Sequence, residues 1–282
     1  IVDTPHDFGA QGSLPTHPAL LDYLATDFRE SGWDVRALLR KMVLSEAYRR
    51  DSGASPEQRE ADPENRLLAR GPSGRMPAEM IRDNALAASG LLVTKTGGPS
   101  VRPYQPGGLW KQASNFTEIL REYTQNHGEA LYRRSMYTFL KRTSPPPFMT
   151  NFDGASRQIC VVKRSVTNTP LQALNLLNAP EFVEAARVLA QRVQAERDET
   201  DAQLARAFRL VNGRTAKPAE VAVLRQLYWA ELDRFAANPT AADSLLAVGE
   251  SLPAEQFPRD RTAALTSVGN VLFNFDEAYV KR

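Results

Sequence analysis

Proline recurs in this chain at positions that a helix tolerates in only one place. Pro170, Pro180 and Pro218 each open a stretch whose apolar residues return at helical spacing. Inside a helix, proline removes a hydrogen bond and clashes with the preceding turn. At the first helical position its missing N–H would lack a partner anyway, and its φ is preset. The last third of the chain is therefore committed to helices that begin at these prolines. Thr169-Pro170-Leu171-Gln172 adds a Thr N-cap and a Gln at the third helical position, the pattern of a capping box. Behind Pro180, the residues Phe182, Val183, Ala186, Leu189, Ala190 and Val193 share one side. Residues 201–211 form the next helix, closed by Asn212-Gly213. Two more run from Pro218, with Val221, Leu224, Leu227, Tyr228 and Leu232 in register, and from about Arg261, with Leu265, Val268, Val271, Leu272 and Phe275.

The same signals open the chain. After Thr16-His17-Pro18, the residues Leu20, Leu21, Leu24 and Phe28 recur on one face, and Gly32 stands where a left-handed C-cap is usual. Asp34 then caps a second helix carrying Val35, Leu38, Leu39, Met42 and Val43, so residues 1–50 read as a helical hairpin. Residues 51–66 are polar and turn-rich, a surface loop or linker. Residues 67–166 form a central segment. It holds a helix from Pro77 to about Leu92, then the stretch from Gly97 to Trp110, whose four glycines and three prolines exclude both helix and central strand. Leu131 to Thr143 fits a helix through Tyr132, Met136, Phe139 and Leu140, although its aromatic and β-branched content also suits a strand; Pro145-Pro146-Pro147 ends it. Residues 167–282 form a C-terminal helical bundle. The expected fold is all-α, a multi-helix assembly with a long irregular Gly/Pro-rich central insertion, packed as one compact domain.

Composition narrows the class of function. At 282 residues, 42% hydrophobic and 24% charged, the chain is globular rather than fibrous or disordered. No apolar run approaches the ~20 residues of a membrane span, and no basic-then-apolar leader stands at the front. The chain opens at Ile1 without Met and runs into Pro5, Gly12 and Pro15, so a segment removed before Ile1 is expected. A formal net charge of +2 gives no argument for nucleic acid as a partner. The single cysteine, Cys160, excludes an internal disulfide, and with no CxxC or CxxCH there is no thiolate metal site or covalent haem attachment in this stretch.

Candidate chemistry is sparse. His6, His17 and His127 are far apart, with no metal-ligand spacing, so no metal is expected. No Walker loop, GxGxxG or GxSxG occurs. Cys160 has no histidine nearby in sequence, and a packed thiol is the expected state. The strongest feature is charge segregation: between Leu131 and Arg164, seven basic residues (Arg133, Arg134, Lys141, Arg142, Arg157, Lys163, Arg164) meet one acid, Asp153. Interleaved with Tyr132, Tyr137, Phe139 and Phe148, they can build a groove for an anionic ligand. Alternatively they pair with Glu118, Glu122, Glu129, Glu181 and Glu184 on flanking segments. Asp83 and Asp153 are the acids to test as a general acid/base pair.

Several ordered strings carry a resemblance: Thr16-His17-Pro18, Ser31-Gly32-Trp33-Asp34, Asp62-Pro63-Glu64-Asn65-Arg66-Leu67-Leu68 and Gly97-Gly98-Pro99 with Arg102-Pro103-Tyr104. They continue in Leu131-Tyr132-Arg133-Arg134-Ser135, Phe152-Asp153, Cys160 and Thr167-Asn168-Thr169-Pro170-Leu171-Gln172-Ala173-Leu174. Together they resemble the C-terminal domain, of unknown function, of planctomycete-type multidomain proteins that also carry a cytochrome-c-like haem domain. The resemblance runs from about His6 to Tyr279. It implies a secreted or periplasmic protein with haem c on an upstream domain, and it implies no cofactor in the present chain. Lys217-Pro218-Ala219-Glu220 departs from it, standing where similar proteins have a Ser or Thr cap. No catalytic residue carries over, but the recurring polar residues mark a site: Arg102, Tyr104, Gln105, Arg133, Arg134, Asp153, Arg164, Asn168 and Gln172.

The resulting expectation is a non-catalytic binding module of an extracytoplasmic haem-containing protein. It would hold an anionic ligand or partner through the Arg/aromatic cluster, with the upstream domains of the same polypeptide and an anionic glycan as partners. The alternatives are an extracytoplasmic enzyme acting on a sulfated polysaccharide through an Asp acid/base, and a structural scaffold in which every arginine is paired.

Overall fold

A computed structural model describes residues 1–7, 10–113 and 121–281. Among them the chain is all-α, with thirteen helices and two strands of two residues each. Glu118 lies outside the described residues. The chain divides into two compact units, and each is built differently.

The first unit comprises residues 1–75, residues 160–164 and the C-terminal strand. Its helical hairpin is α1 (Pro18–Glu30) and α2 (Val35–Leu44). Gly32, at φ +72°, makes the turn between them, and the Asp34 carboxylate accepts from the Ala37 amide at 3.0 Å, the cap read from sequence. Ser45 caps α3 (Glu46–Arg49). Residues 51–66 contain α4 (Pro56–Ala61), opened by a reciprocal capping box in which Ser55 and Gln58 each accept the other's backbone N–H. Strand β1 (Gly74–Arg75) pairs antiparallel with β2 (Val280–Lys281). Among the described residues, this unit buries none of its hydrophobic side chains; Leu39, Met42, Val43 and Leu44 of α2 are all exposed.

The second unit holds the core. Its axis is α9 (Pro180–Glu196) against α13 (Arg259–Asn274). They cross closely because Gly269 faces Ala186, where an added Cβ would sit 3.1 Å from the alanine methyl. Around this pair pack α5 (Ala78–Ser89), α8 (Pro170–Asn178), α10 (Thr200–Asn212), α11 (Pro218–Ala237) and α12 (Pro239–Leu246). Short helices α6 (Leu109–Ala113) and α7 (Pro147–Asn151) flank the central insertion. The proline signal holds: Pro170, Pro180, Pro218 and Pro239 each begin a helix. Gly213 ends α10 at φ +74°. The missing Ser or Thr at Lys217 does not displace the start of α11, because Glu220 reaches back to accept the Lys217 amide at 2.6 Å. Arg214 grips the same Glu220 and also Glu277, and this holds the Glu220 carboxylate down at about 2.

The expected helix from Leu131 to Thr143 is not formed. The segment makes two 3₁₀ turns, Gly128–Tyr132 and Ser135–Tyr137, and two isolated parallel bridges, Val93 with Arg133 and Val101 with Thr138. The carbonyls that a helix would use internally are taken elsewhere. Tyr132 and Tyr137 accept from the amides of Val93 and Val101 at 2.9 and 2.8 Å, and Leu131 and Arg133 accept from the Arg82 side chain. Cys160 is also a correction. It is exposed rather than packed, in an irregular stretch where Ile159, Val161 and Val162 are exposed too. No helix among the described residues is long and apolar enough to cross a membrane.

Candidate functional site

Of the basic residues nominated from sequence, none in the second unit lines the cavity described below. Arg133 is buried, and its guanidinium donates to the carbonyls of Lys95, Gly97 and Pro99 while lying 3.8 Å from the Tyr137 ring centroid. Its work is to hold the Gly97–Pro99 turn. Arg102 lies over Trp110 and Phe139, and Lys141 over Trp110. Arg134 and Arg157 are exposed. Lys163 and Arg164 belong to the first unit, where Lys163 meets Asp3 at 3.5 Å. Asn168 is exposed, whereas Gln172 is buried and uses its amide to hold the carbonyls of Asn151 and Thr167 at 2.7 and 3.2 Å.

The two nominated acids are likewise engaged locally. Asp83 accepts from the Ser135 amide at 2.7 Å. Asp153, at φ +55°, accepts from the Thr167 amide at 2.8 Å and from its hydroxyl. Neither lines the cavity described next.

Tyr104 and Gln105 do reach a site. A cavity of about 510 Å³ opens between Pro103–Pro106, the Pro146–Met149 turn and the junction of α8 with α9. That volume lies within the range of small-molecule sites. Five prolines (Pro103, Pro106, Pro146, Pro147, Pro180) and Phe148 supply rigid apolar wall. Pyrrolidine rings have almost no side-chain freedom to lose, so this wall is preorganised. Set into it are Gln105, Thr138, Asn175 and Glu181, with Arg82 behind. The Gln105 Nε2, Thr138 Oγ1, Asn175 Nδ2 and Arg82 Nε atoms are sealed from solvent and have no hydrogen-bond partner among the described residues. Buried polar atoms are normally paired, and each unpaired one costs about 1–3 kcal/mol.

Arg82, 4% exposed, uses its two terminal nitrogens on the Leu131 and Arg133 carbonyls and the Ser135 hydroxyl. Its charge faces Glu181, 9% exposed. Burial raises the Glu181 carboxyl above its ordinary range, and the attraction of Arg82 opposes that rise without cancelling it. In a window starting near the ordinary carboxyl value of 4.5, the folded protein therefore keeps a proton that the unfolded chain has released. Glu181 favours the fold most below that window, and the contribution is lost as pH rises through its folded value. Glu181→Gln is expected to flatten this part of the stability–pH curve, removing a slope of up to about 1.4 kcal/mol per pH unit. Urea titrations from pH 4 to 8 check it; identical curves for the two proteins would refute it.

Behind the cavity, Glu184 is a hub. It is 1% exposed and accepts from Tyr104 Oη (2.9 Å), Tyr132 Oη (2.8 Å), and the amide and hydroxyl of Ser251 (2.6 and 2.7 Å). Arg187, fully buried, lies 3.8 Å from it and donates to the Ser251 carbonyl and hydroxyl. Burial and the Glu184 charge push the Tyr132 phenol up to about 12 and raise Tyr104 further, so both hydroxyls stay protonated donors. Gly249, at φ +90°, passes so close that a side chain there would overlap the Glu184 carboxylate. The hub thus ties the Tyr104 wall of the cavity to α9 and to the 249–251 turn. At the outer edge Glu250 accepts from His127 and the Gly128 amide at 2.7 and 2.6 Å.

Sequence reasoning missed Arg82 and Arg187, and it read Glu181 and Glu184 only as counter-charges. A signal existed: Glu181, Glu184 and Arg187 are spaced by three on a helix whose residues 181–187 are all buried. Charges on such a helix have no solvent to reach.

Among the described residues, no group of three or more His, Cys, Asp or Glu side chains is placed to hold a metal ion. Compared with families of known proteins, residues 1–228 match the family described as PSD1, protein of unknown function (DUF1553). No curated protein and no solved structure gives a significant match.

Proposed function

The chain belongs to the PSD1 family of proteins of unknown function (DUF1553), and we propose that its second unit is a binding module rather than a catalyst, with the proline-walled cavity as its ligand site. One observation carries this reading: three side chains of the cavity wall, Gln105, Thr138 and Asn175, keep buried polar atoms without partners among the described residues. A fold under selection for stability alone gains by replacing such groups, and sites that retain them trade stability for recognition. The enzyme reading has less support, since Asp83 and Asp153 are held by backbone amides outside the cavity.

The resemblance to planctomycete-type secreted proteins supports three further elements of the proposal. The protein is extracytoplasmic, haem c is carried on an upstream domain, and the upstream domains of the same polypeptide are its partners. A scaffold reading draws on Arg133, whose two terminal guanidinium nitrogens are used in holding one turn.

The test needs no ligand. Gln105→Met and Asn175→Leu remove the unpaired donors while keeping volume, and each is expected to raise the melting temperature by about 2–4 °C, the shift that about 1 kcal/mol gives in a domain this size. If both variants melt lower than the parent, those atoms have partners in solution and the cavity is structural. In parallel, stabilisation by a sulfated glycan that is lost in the Arg133→Ala/Arg134→Ala double variant would move the site to the basic segment.

A further inference from the structure

We propose that the cavity takes an uncharged, flat ring carrying a carboxamide or carbonyl edge, an assignment of ligand class that rests on the cavity being the binding site. Charge comes first. The only ionisable pair at the wall among the described residues is Arg82 with Glu181, and each offsets the other. An anionic ligand would meet the Glu181 carboxyl and find only the Nε of Arg82 uncommitted, because both terminal nitrogens of Arg82 are held by Leu131, Arg133 and Ser135. A cationic ligand would meet Arg82. A charge brought into an apolar cavity without a partner is strongly disfavoured, whereas a neutral group is not.

Shape comes second. The wall is predominantly apolar and is lined by proline rings and Phe148, whose ring packs at a tilt against Phe152 and Phe182 with centroids 4.9 and 5.1 Å apart. Rigid rings of this kind complement a flat ring. A fully hydroxylated sugar would bring more donors and acceptors than such a wall can pair.

Polar complementarity comes third. Gln105 and Asn175 are primary amides, each with donors and an acceptor, and the unpaired atoms are amide nitrogens. Turning either terminal torsion presents a donor to the cavity, and those torsions are soft. A carboxamide or ring carbonyl supplies the acceptor, and a carboxamide also returns donors to the amide oxygens.

The experiment uses isosteric probes that differ only in charge or in ring type. Saturation-transfer NMR and calorimetric titration of the full chain compare benzamide with benzoate, and methyl glucoside with glucuronate, each repeated with Asn175→Leu. Benzamide is expected to bind with a Kd of about 1 mM or tighter. Benzoate should bind at least about tenfold more weakly, and Asn175→Leu should abolish the benzamide signal. Preference for benzoate or glucuronate overturns the neutrality of the site, and preference for methyl glucoside overturns the flat ring. Absence of benzamide binding overturns the class even where Gln105→Met and Asn175→Leu prove stabilising, an outcome that would leave the cavity reading itself intact.

Discussion

Arg82→Ala is expected to destabilise the second unit by about 3–5 kcal/mol, measured as a fall in the urea midpoint at unchanged slope. The size follows from what the substitution leaves behind. The Leu131 and Arg133 carbonyls and the Ser135 hydroxyl lose their donor inside the protein, and the buried Glu181 carboxyl loses the one charge that draws it toward ionisation. Removing one member of a buried pair is more damaging than removing both, because an uncompensated charge remains. Glu181→Gln placed on top of Arg82→Ala should therefore recover part of the loss, a coupling of about 1–2 kcal/mol. A fall below about 1 kcal/mol for Arg82→Ala alone would mean that the 131–135 turns hold themselves without it.

Glu184→Ala is the second large effect, again about 3–5 kcal/mol, and for a related reason. Arg187 is fully buried and its Nε and Nη1 have no hydrogen-bond partner among the described residues, so Glu184 is the charge that makes its burial tolerable. The same carboxylate gathers two phenols and both donors of Ser251. Glu184→Gln keeps an acceptor at the hub and loses the charge, so it should fall between the parent and the alanine variant. Tyr104→Phe, which removes one hydroxyl from the hub and from the Glu250 amide, should fall by about 1 kcal/mol only. If Glu184→Gln matches Glu184→Ala, charge dominates the hub; if Glu184→Gln matches the parent, hydrogen bonding does.

The helices of this chain were legible because their starts are chemically marked. Proline at the first helical position predicts α8, α9 and α11 from residues that act within one turn, and Gly32 and Gly213 mark ends for the same local reason. The same signal stands at Asn238-Pro239, where the Asn238 side chain accepts from the Ala241 amide at 3.1 Å, and the reading passed over it. What failed was non-local. The segment from Leu131 to Thr143 carries a helical period, yet its carbonyls answer to Val93, Val101 and Arg82, and nothing within the segment announces that. Cys160 sits among Ile159, Val161 and Val162, a composition that reads as buried and is not.

The lining of the cavity was legible only in part. Tyr104 and Gln105 were named through the irregular loop that carries them, and both line the cavity. For the basic run from Arg133 to Arg164, a count of charges does not say whether a guanidinium faces solvent, an acid or a set of carbonyls; Arg133 faces carbonyls. Glu181 and Arg82 lie 99 positions apart in sequence and come within electrostatic reach only through the packing of α5 on α9.

The first unit's lack of buried hydrophobic side chains among its described residues has a calorimetric consequence. The heat-capacity increment of unfolding comes from apolar surface newly exposed to water, and polar surface lowers it. The hydrophobic side chains described in residues 1–75 are exposed or only half-buried, so unfolding exposes less apolar surface there than in the second unit. The increment for the whole chain should therefore be that of the second unit, roughly 2.4–3.0 kcal/mol/K for a body of about 200 residues, and its stability curve should be as shallow as that of a shorter protein.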